Sequence, residues 1–329
     1  MNLRRGPLSP RLALGCAQLG NLYRARGEDE AAAILEEAWS AGIRQFDTAP
    51  HYGLGLSERR LGAFLRGKPR DQFSVSTKIG RLLVPSPERA WCDDDEGFAV
   101  PAALRRVWDF SAAGVRACLE SSLERLELDR VDTVLIHDPN EHVGEALAAA
   151  VPALAALRDE GIVGAIGVGN RDTALLTRFA RETDIDVVML AGGYTLLDQS
   201  ALDTLLPACV EYDVRVLNAA IFNSGILARR RPDAGARFEY AAASPEVLER
   251  ARTLARVCEA HGTSLPAAAL AFAAAPPAVT AIVVGADDAE QVRGNIALLS
   301  APPPRTLWDE LRERGLIRGD APVPQSPGR

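Results

Sequence analysis

Short apolar or β-branched runs alternate along the chain with longer stretches in which apolar positions recur at helical spacing. Runs at 12–15, 44–47, 73–77, 132–136, 163–167, 186–190, 214–218 and 280–284 have the length and composition of strands. Helical periodicity fills 28–41, 57–66, 111–127, 143–160, 172–182, 200–212, 244–261 and 287–299. In 28–41, Ala32, Leu35, Glu36, Ala38 and Trp39 are assigned to one face and Gly42 to the C-terminal stop. Ser111, and Ser244 followed by Pro245, are expected N-caps. Eight strand–helix pairs in succession predict an α/β fold, a (β/α)8 barrel of the TIM class rather than a doubly wound sheet.

Two segments interrupt the repeat. Residues 81–110 carry Pro85, Pro87, Pro101 and the acidic run Asp93, Asp94, Asp95, Glu96, and residues 219–243 are rich in Gly, Asn, Ser and Arg. Both are expected as long loops on the C-terminal face of the barrel, where the active sites of such folds are built. An extra helix is predicted at 265–275. A length of 329 residues suits one barrel with insertions or two smaller domains. No linker marks a boundary, so the expectation is a single barrel domain over 1–320, then a disordered Pro- and Gly-rich tail over 321–329.

Composition narrows the function. With 47% hydrophobic and 25% charged residues the chain has material for a full core. A net charge of -7, with no basic tract beyond Arg229, Arg230 and Arg231, argues against nucleic acid or an anionic membrane as partner. The five cysteines form no CxxC pair, so neither a metal site nor a disulfide framework is expected. The segment from Met1 to Pro7 lacks the apolar stretch of a leader, and no run of about 18 apolar residues occurs, which makes a cytoplasmic enzyme with a small-molecule substrate the expectation.

The candidate chemistry lies at strand ends. Asp47 closes the second strand and Tyr52 follows in a glycine-bearing turn; Lys78 ends the third strand and His137 the fourth. Taken singly, the tyrosine suits a surface turn, the lysine a solvated rim and the histidine a structural hydrogen bond. In a barrel, however, three successive strand ends converge on one mouth. A phenol transfers protons near neutral pH only when its pKa falls, and an adjacent ammonium favours phenolate. Lys78 supplies that charge, Asp47 orients Lys78, and His137 donates a hydrogen bond to the reacting oxygen.

These segments resemble the aldo-keto reductase superfamily over nearly the whole chain, and Asp47, Tyr52, Lys78 and His137 match its catalytic tetrad one by one. The resemblance implies a nicotinamide cofactor. Asn170, ending the fifth strand, is placed at the carboxamide; Gly169 stands where a serine is usual, and Ala191 where many members carry a glutamine. Phe222, Asn223, Ser224 and Gly225 resemble the loop over the pyrophosphate, with small residues and backbone N–H groups suited to phosphate. Gly285, Asp287, Gln291 and Asn295 resemble the adenosine end. The cations that members use for a 2′-phosphate are replaced there by Gly285, Ala286 and Gln291, with Asp287 and Asp288 between, so NAD is expected over NADP, with NADP still possible through Arg293. Further phrases, including 47–59 and 78–83, resemble a branch that oxidises free aldoses at C1 to lactones and also contains pyridoxal 4-dehydrogenases. His51, Trp91 and Trp108 are candidate substrate residues. A general NADPH-dependent carbonyl reductase and a non-enzymatic redox-sensing subunit are the alternatives.

Overall fold

The eight apolar runs fold as parallel strands: β1 (Leu12–Gly15), β2 (Gln45–Asp47), β3 (Ser74–Ile79), β4 (Val131–His137), β5 (Val163–Asn170), β6 (Val187–Ala191), β7 (Arg215–Ala219) and β8 (Val279–Gly285). They close in the order β1-β8-β7-β6-β5-β4-β3-β2, a parallel barrel in which every strand neighbours its sequence successor. The computed structural model describes residues 12–239, 241–300 and 302–324. Packing divides the chain into two compact units. The first comprises residues up to Asn170, Glu182–Val188 and Val284–Arg293, and the second Arg171–Arg181, Met189–Val283 and the residues from Gly294. Among the described residues no helix is long and apolar enough to cross a membrane.

In the first unit the register pairs Asp47 with Ser76, Lys78 with Leu135, and His137 with Gly169, which sets the three strand ends side by side. The helix Glu28–Ser40 begins with three carboxylates that favour its positive end, and it buries Ala31, Ile34, Leu35 and Ala38 at the i, i+3, i+4, i+7 spacing. That corrects the face assigned from sequence: Ala32 and Glu36 are exposed, and Trp39 is half-buried with the Arg44 guanidinium 3.8 Å over its ring. Ser111 caps its helix as expected, its hydroxyl accepting from Gly114 N–H at 3.1 Å. The predicted helix 143–160 is interrupted by a π-turn at Ala146–Ala150, immediately before the segment that carries Pro152 near its start. The stretch 81–110 is more than a loop: Arg81–Pro85 pairs antiparallel with Leu104–Trp108 over five residue pairs.

In the second unit, Asn218 on β7 is fully buried, and its amide donates to the carbonyls of Tyr194 and Ala273, both at 3.0 Å. One side chain thereby ties the segment after β6 to the helix Leu265–Ala273. Tyr194 stacks on Phe272 at 4.8 Å, and Phe272 on Trp308 at 6.1 Å. Trp308 belongs to a helix, Arg305–Glu313, that the periodicity reading omits. Ala321 is buried and the Pro322 carbonyl accepts from the Tyr194 hydroxyl at 2.8 Å, so the start of the expected tail is packed; residues 325–329 lie outside those described.

Beneath the strand ends of the first unit, Glu58 is fully buried in the helix Leu56–Leu65. Its carboxylate accepts from Thr77 Oγ1 at 2.7 Å and from Arg125 Nε at 2.6 Å, fixing the residue that precedes Lys78. Removing one member of a buried pair leaves the other charge uncompensated. Glu58→Gln should therefore cost about 3 kcal/mol of stability, read as a fall in the thermal unfolding midpoint; an unchanged midpoint would show that Arg125 finds another partner.

Candidate active site

Asp47 and Lys78 project from adjacent strands and are both buried. Lys78 Nζ lies 2.8 Å from Asp47 Oδ2 and donates to the Thr48 carbonyl at 2.9 Å, while Ser76 Oγ donates to Asp47 Oδ1 at 2.7 Å. The same ammonium sits 4.7 Å from the centre of the Tyr52 ring. Burial disfavours the charged lysine, but Asp47 and Tyr52 outweigh it and raise its pKa above the ordinary value. Lys78 is thus a permanent cation beside a phenol.

Tyr52 is placed by backbone contact. A Cβ on Gly53, whose φ is +62°, would stand 2.2 Å from the Gly20 carbonyl oxygen, and one on Gly20 would stand 2.5 Å from the Tyr52 carbonyl carbon. Only two glycines permit this approach of the turn to the short helix Ala17–Gly20. Ser57 then ties the turn down, donating to the Cys16 carbonyl at 2.7 Å with its hydroxyl 2.8 Å from Thr48 Oγ1.

His137 stands edge-on to Tyr52, ring centres 6.1 Å apart, and His51 lies 5.6 Å from His137 and 6.0 Å from Tyr52. Burial, then the nearby Arg81 and Lys78, hold His137 well below its ordinary pKa. Burial, followed by Arg81, Arg106 and Lys78, lowers His51 to about 2. Both are neutral imidazoles at physiological pH, and His137 can offer an N–H without carrying charge.

Several residues around this group have no counterpart in the sequence reading. Phe98 packs 6.1 Å from Tyr52 and 5.1 Å from His51. Arg106 donates to the His51 carbonyl at 2.8 Å and pairs at 2.6 Å with Asp94, whose side chain is covered. Arg81 pairs with Asp138 at 2.9 Å and lies over Trp108 at 4.7 Å. All but Asp138 come from the paired segment at 81–110 or the connection inside it, so only the antiparallel pairing brings them to the strand ends. Of the three candidate substrate residues, the structure brings His51 to the group. Trp108 stacks on Phe110 at 5.7 Å, half in solvent, and Trp91 is 86% exposed with its indole N–H donating to the Glu88 carbonyl of its own turn.

The residues assigned to a cofactor fall in both units. In the first, Asn170 is buried and donates to Asn140 Oδ1 at 2.8 Å. Gly285 leaves room for Gln18, whose amide oxygen a Cβ would meet at 2.6 Å. Gln291 accepts from Asp287 N–H at 3.0 Å, and its own N–H donates to Asp288 at 2.8 Å, so it serves the turn into its helix. Two cations that the sequence reading did not place lie beside Asp287: the buried Arg26 side chain forms an ion pair with its carboxylate, and Arg24 reaches its carbonyl at 3.5 Å. Arg24 is itself paired with Glu30. Arg293, the other cation considered, pairs with Glu37 at 2.6 Å.

In the second unit, Asn223, Ser224 and Gly225 have φ of +45°, +57° and +95° in a tight turn after β7. The N–H groups of Asn223 and Gly225 are used within that turn, donating to Ala220 and Phe222, which corrects the expectation that they are free for phosphate. What the turn offers instead is Asn223 Oδ1, a buried acceptor without a hydrogen-bond partner, which fits a bound group that carries N–H or O–H donors. Phe222 and Asn295 are half-buried.

The profile of the Aldo/keto reductase family matches residues 11–313. The chain is 50% identical over 311 residues to a D-threo-aldose 1-dehydrogenase of a Pseudomonas species, covering 94% of each. It is 34% identical to a pyridoxal 4-dehydrogenase of Microbacterium luteolum, covering 95% of this chain and 96% of that one. Among solved structures, a glycerol dehydrogenase from Gluconobacter oxydans matches with a TM-score of 0.76 at 21% identity, covering 100% of this chain and 97% of that one.

The neutral histidines set the acid response. Both bind protons in the unfolded chain near pH 6.5 and resist doing so when folded, so stability is present above that pH and lost below it. Stability measured from pH 7 to pH 5 should fall by about 2 kcal/mol in total for each histidine, the slope approaching about 1.4 kcal/mol per pH unit below pH 6. His51→Gln should flatten that slope; an identical slope would mean that His51 takes up its proton in the folded state.

Proposed function

Since the chain belongs to the aldo/keto reductase family, a family of nicotinamide-dependent oxidoreductases, we propose that it oxidises the C1 hydroxyl of a cyclic aldose to a lactone, with Tyr52 accepting the proton. The observation that carries the reading is the buried Lys78 ammonium, held by Asp47 and facing the Tyr52 ring at 4.7 Å. A cation in that position favours phenolate and so makes Tyr52 a base near neutral pH. His137, neutral by burial, donates its N–H to the C1 oxygen and orients it toward Tyr52. A bound nicotinamide supplies the hydride acceptor. The 50% identity to an aldose 1-dehydrogenase supports the choice of substrate. Oxidation of pyridoxal is the second reading, favoured by the 34% relative.

NAD is the proposed cofactor. Asp287 presents a partly exposed carboxylate that accepts from a ribose hydroxyl and repels a 2′-phosphate. The two arginines beside it are already engaged, Arg26 by Asp287 and Arg24 by Glu30. Removing the carboxylate releases Arg26, so Asp287→Ser should raise kcat/KM for NADP relative to NAD by about 10- to 100-fold, the weight of a charge-assisted hydrogen bond. An unchanged ratio would place cofactor discrimination elsewhere.

Tyr52→Phe keeps the ring and removes the proton acceptor. Turnover in an NAD+-linked screen of aldoses and pyridoxal should fall at least about 100-fold, while NAD+ binding, followed by fluorescence quenching, stays intact. Normal turnover would overturn the mechanism, and turnover of pyridoxal alone would overturn the sugar assignment. A general carbonyl reductase would show higher efficiency with NADPH, and a redox sensor only slow exchange.

A further inference from the structure

Two carboxylates flank the proposed reacting centre, and one guanidinium joins them. Asp138 follows His137 directly and lies 3.5 Å from its Nε2; Glu96, in the connection between Arg81–Pro85 and Leu104–Trp108, lies 3.6 Å from His51 Nδ1. Arg81 reaches both, at 2.9 Å to Asp138 and 4.0 Å to Glu96, and Arg106 approaches Glu96 to 3.5 Å. Asp138 holds a left-handed backbone at φ +48°, a cost that aspartate tolerates and that keeps its side chain beside His137.

The pair is accessible and, at Glu96, under-bonded. Glu96 is 46% exposed and Asp138 39%. The ion-pair distances to Glu96 all exceed the usual hydrogen-bond length, so its lone pairs are open to hydroxyl donors. Around it, His51 Nδ1, Arg81 Nε and Arg106 Nε are buried without hydrogen-bond partners, although only 8% of the Arg106 side chain is exposed.

We infer that Glu96 and Asp138, bridged by Arg81, form a specificity site that accepts hydrogen bonds from the hydroxyls next to the oxidised carbon. It rests on the aldose reading in that the guest is polyhydroxylated. A carboxylate takes two neighbouring hydroxyls as donors while the guanidinium serves their oxygens. An analogue lacking those hydroxyls forfeits the hydrogen bonds to the two carboxylates, and a site that hydrogen-bonds a substrate hydroxyl discriminates against it.

The test uses the full-length enzyme with Glu96→Gln, Asp138→Asn and Arg81→Lys. The readout is the ratio of kcat/KM for glyceraldehyde over propanal in reduction, and for an aldose over its 2-deoxy counterpart in oxidation. Wild type should prefer the hydroxylated member of each pair, and each variant should lower that preference about tenfold or more, as loss of a charged hydrogen bond implies. Arg81→Lys keeps the charge and removes the fork, so it tests the bridge without deleting a carboxylate. Wild-type ratios in all the variants, or no preference in wild type, overturn the inference. If no aldose is oxidised but the glyceraldehyde ratio still falls in the variants, the carboxylate site stands and the aldose reading falls.

Discussion

The structure is organised by a buried ion pair, Lys78 with Asp47, at the ends of two adjacent strands. Taking two charges out of water costs several kcal/mol for each ion, and their attraction offsets this only when further hydrogen bonds satisfy what remains. Those bonds come from Ser76 to Asp47 and from Lys78 to the Thr48 carbonyl. Each depends on the register that pairs Asp47 with Ser76, because slipping a strand by one residue would turn Lys78 to the other face. The register is held from below by Glu58, which bonds Thr77, and from the side by Asp132, which accepts from the Val75 N–H at 2.8 Å. The pair therefore demands a rigid frame and receives one.

The barrel was legible because its signal is repeated eight times, and an error of one or two residues at a strand end leaves the count unchanged. The strand ends were legible for a related reason: Asp47, Lys78 and His137 each close an apolar run, so their convergence follows from topology alone. The paired segment at 81–110 was not legible. Its three prolines and acidic run read as loop, although Arg81–Pro85 and Leu104–Trp108 have strand length, because pairing across an 18-residue gap is non-local. Arg26 beside Asp287 is a further case, a contact across 261 positions that no local pattern announces. The helix Arg305–Glu313 escaped because it is short and only Leu307, Trp308 and Leu311 are buried in a charged segment.

The pairing that the sequence concealed also contributes to the charge state around Tyr52. Burial is the largest cause that holds His51 and His137 neutral, and Arg81, Arg106 and Lys78 add to it. A protonated His137 would add a charge beside the phenol and compete with Lys78 as the group that tunes it. Keeping the histidine neutral leaves the imidazole able to offer an N–H without adding a charge beside the phenol.

Three cations at one mouth would still attract any anion, and here the carboxylates matter for more than recognition. Arg81 is matched by Asp138, Arg106 by Asp94, and Lys78 by Asp47. Each positive charge has a partner within 3 Å, so the field that acts on the imidazoles at short range is largely cancelled farther out. A phosphorylated or carboxylated substrate would have to compete with carboxylates already in place and would meet Glu96 unmatched at hydrogen-bond length. A neutral, hydroxyl-bearing substrate meets no such opposition. The ion pairs that match Arg81 and Arg106 therefore also limit the pull these arginines exert on an anion from a distance.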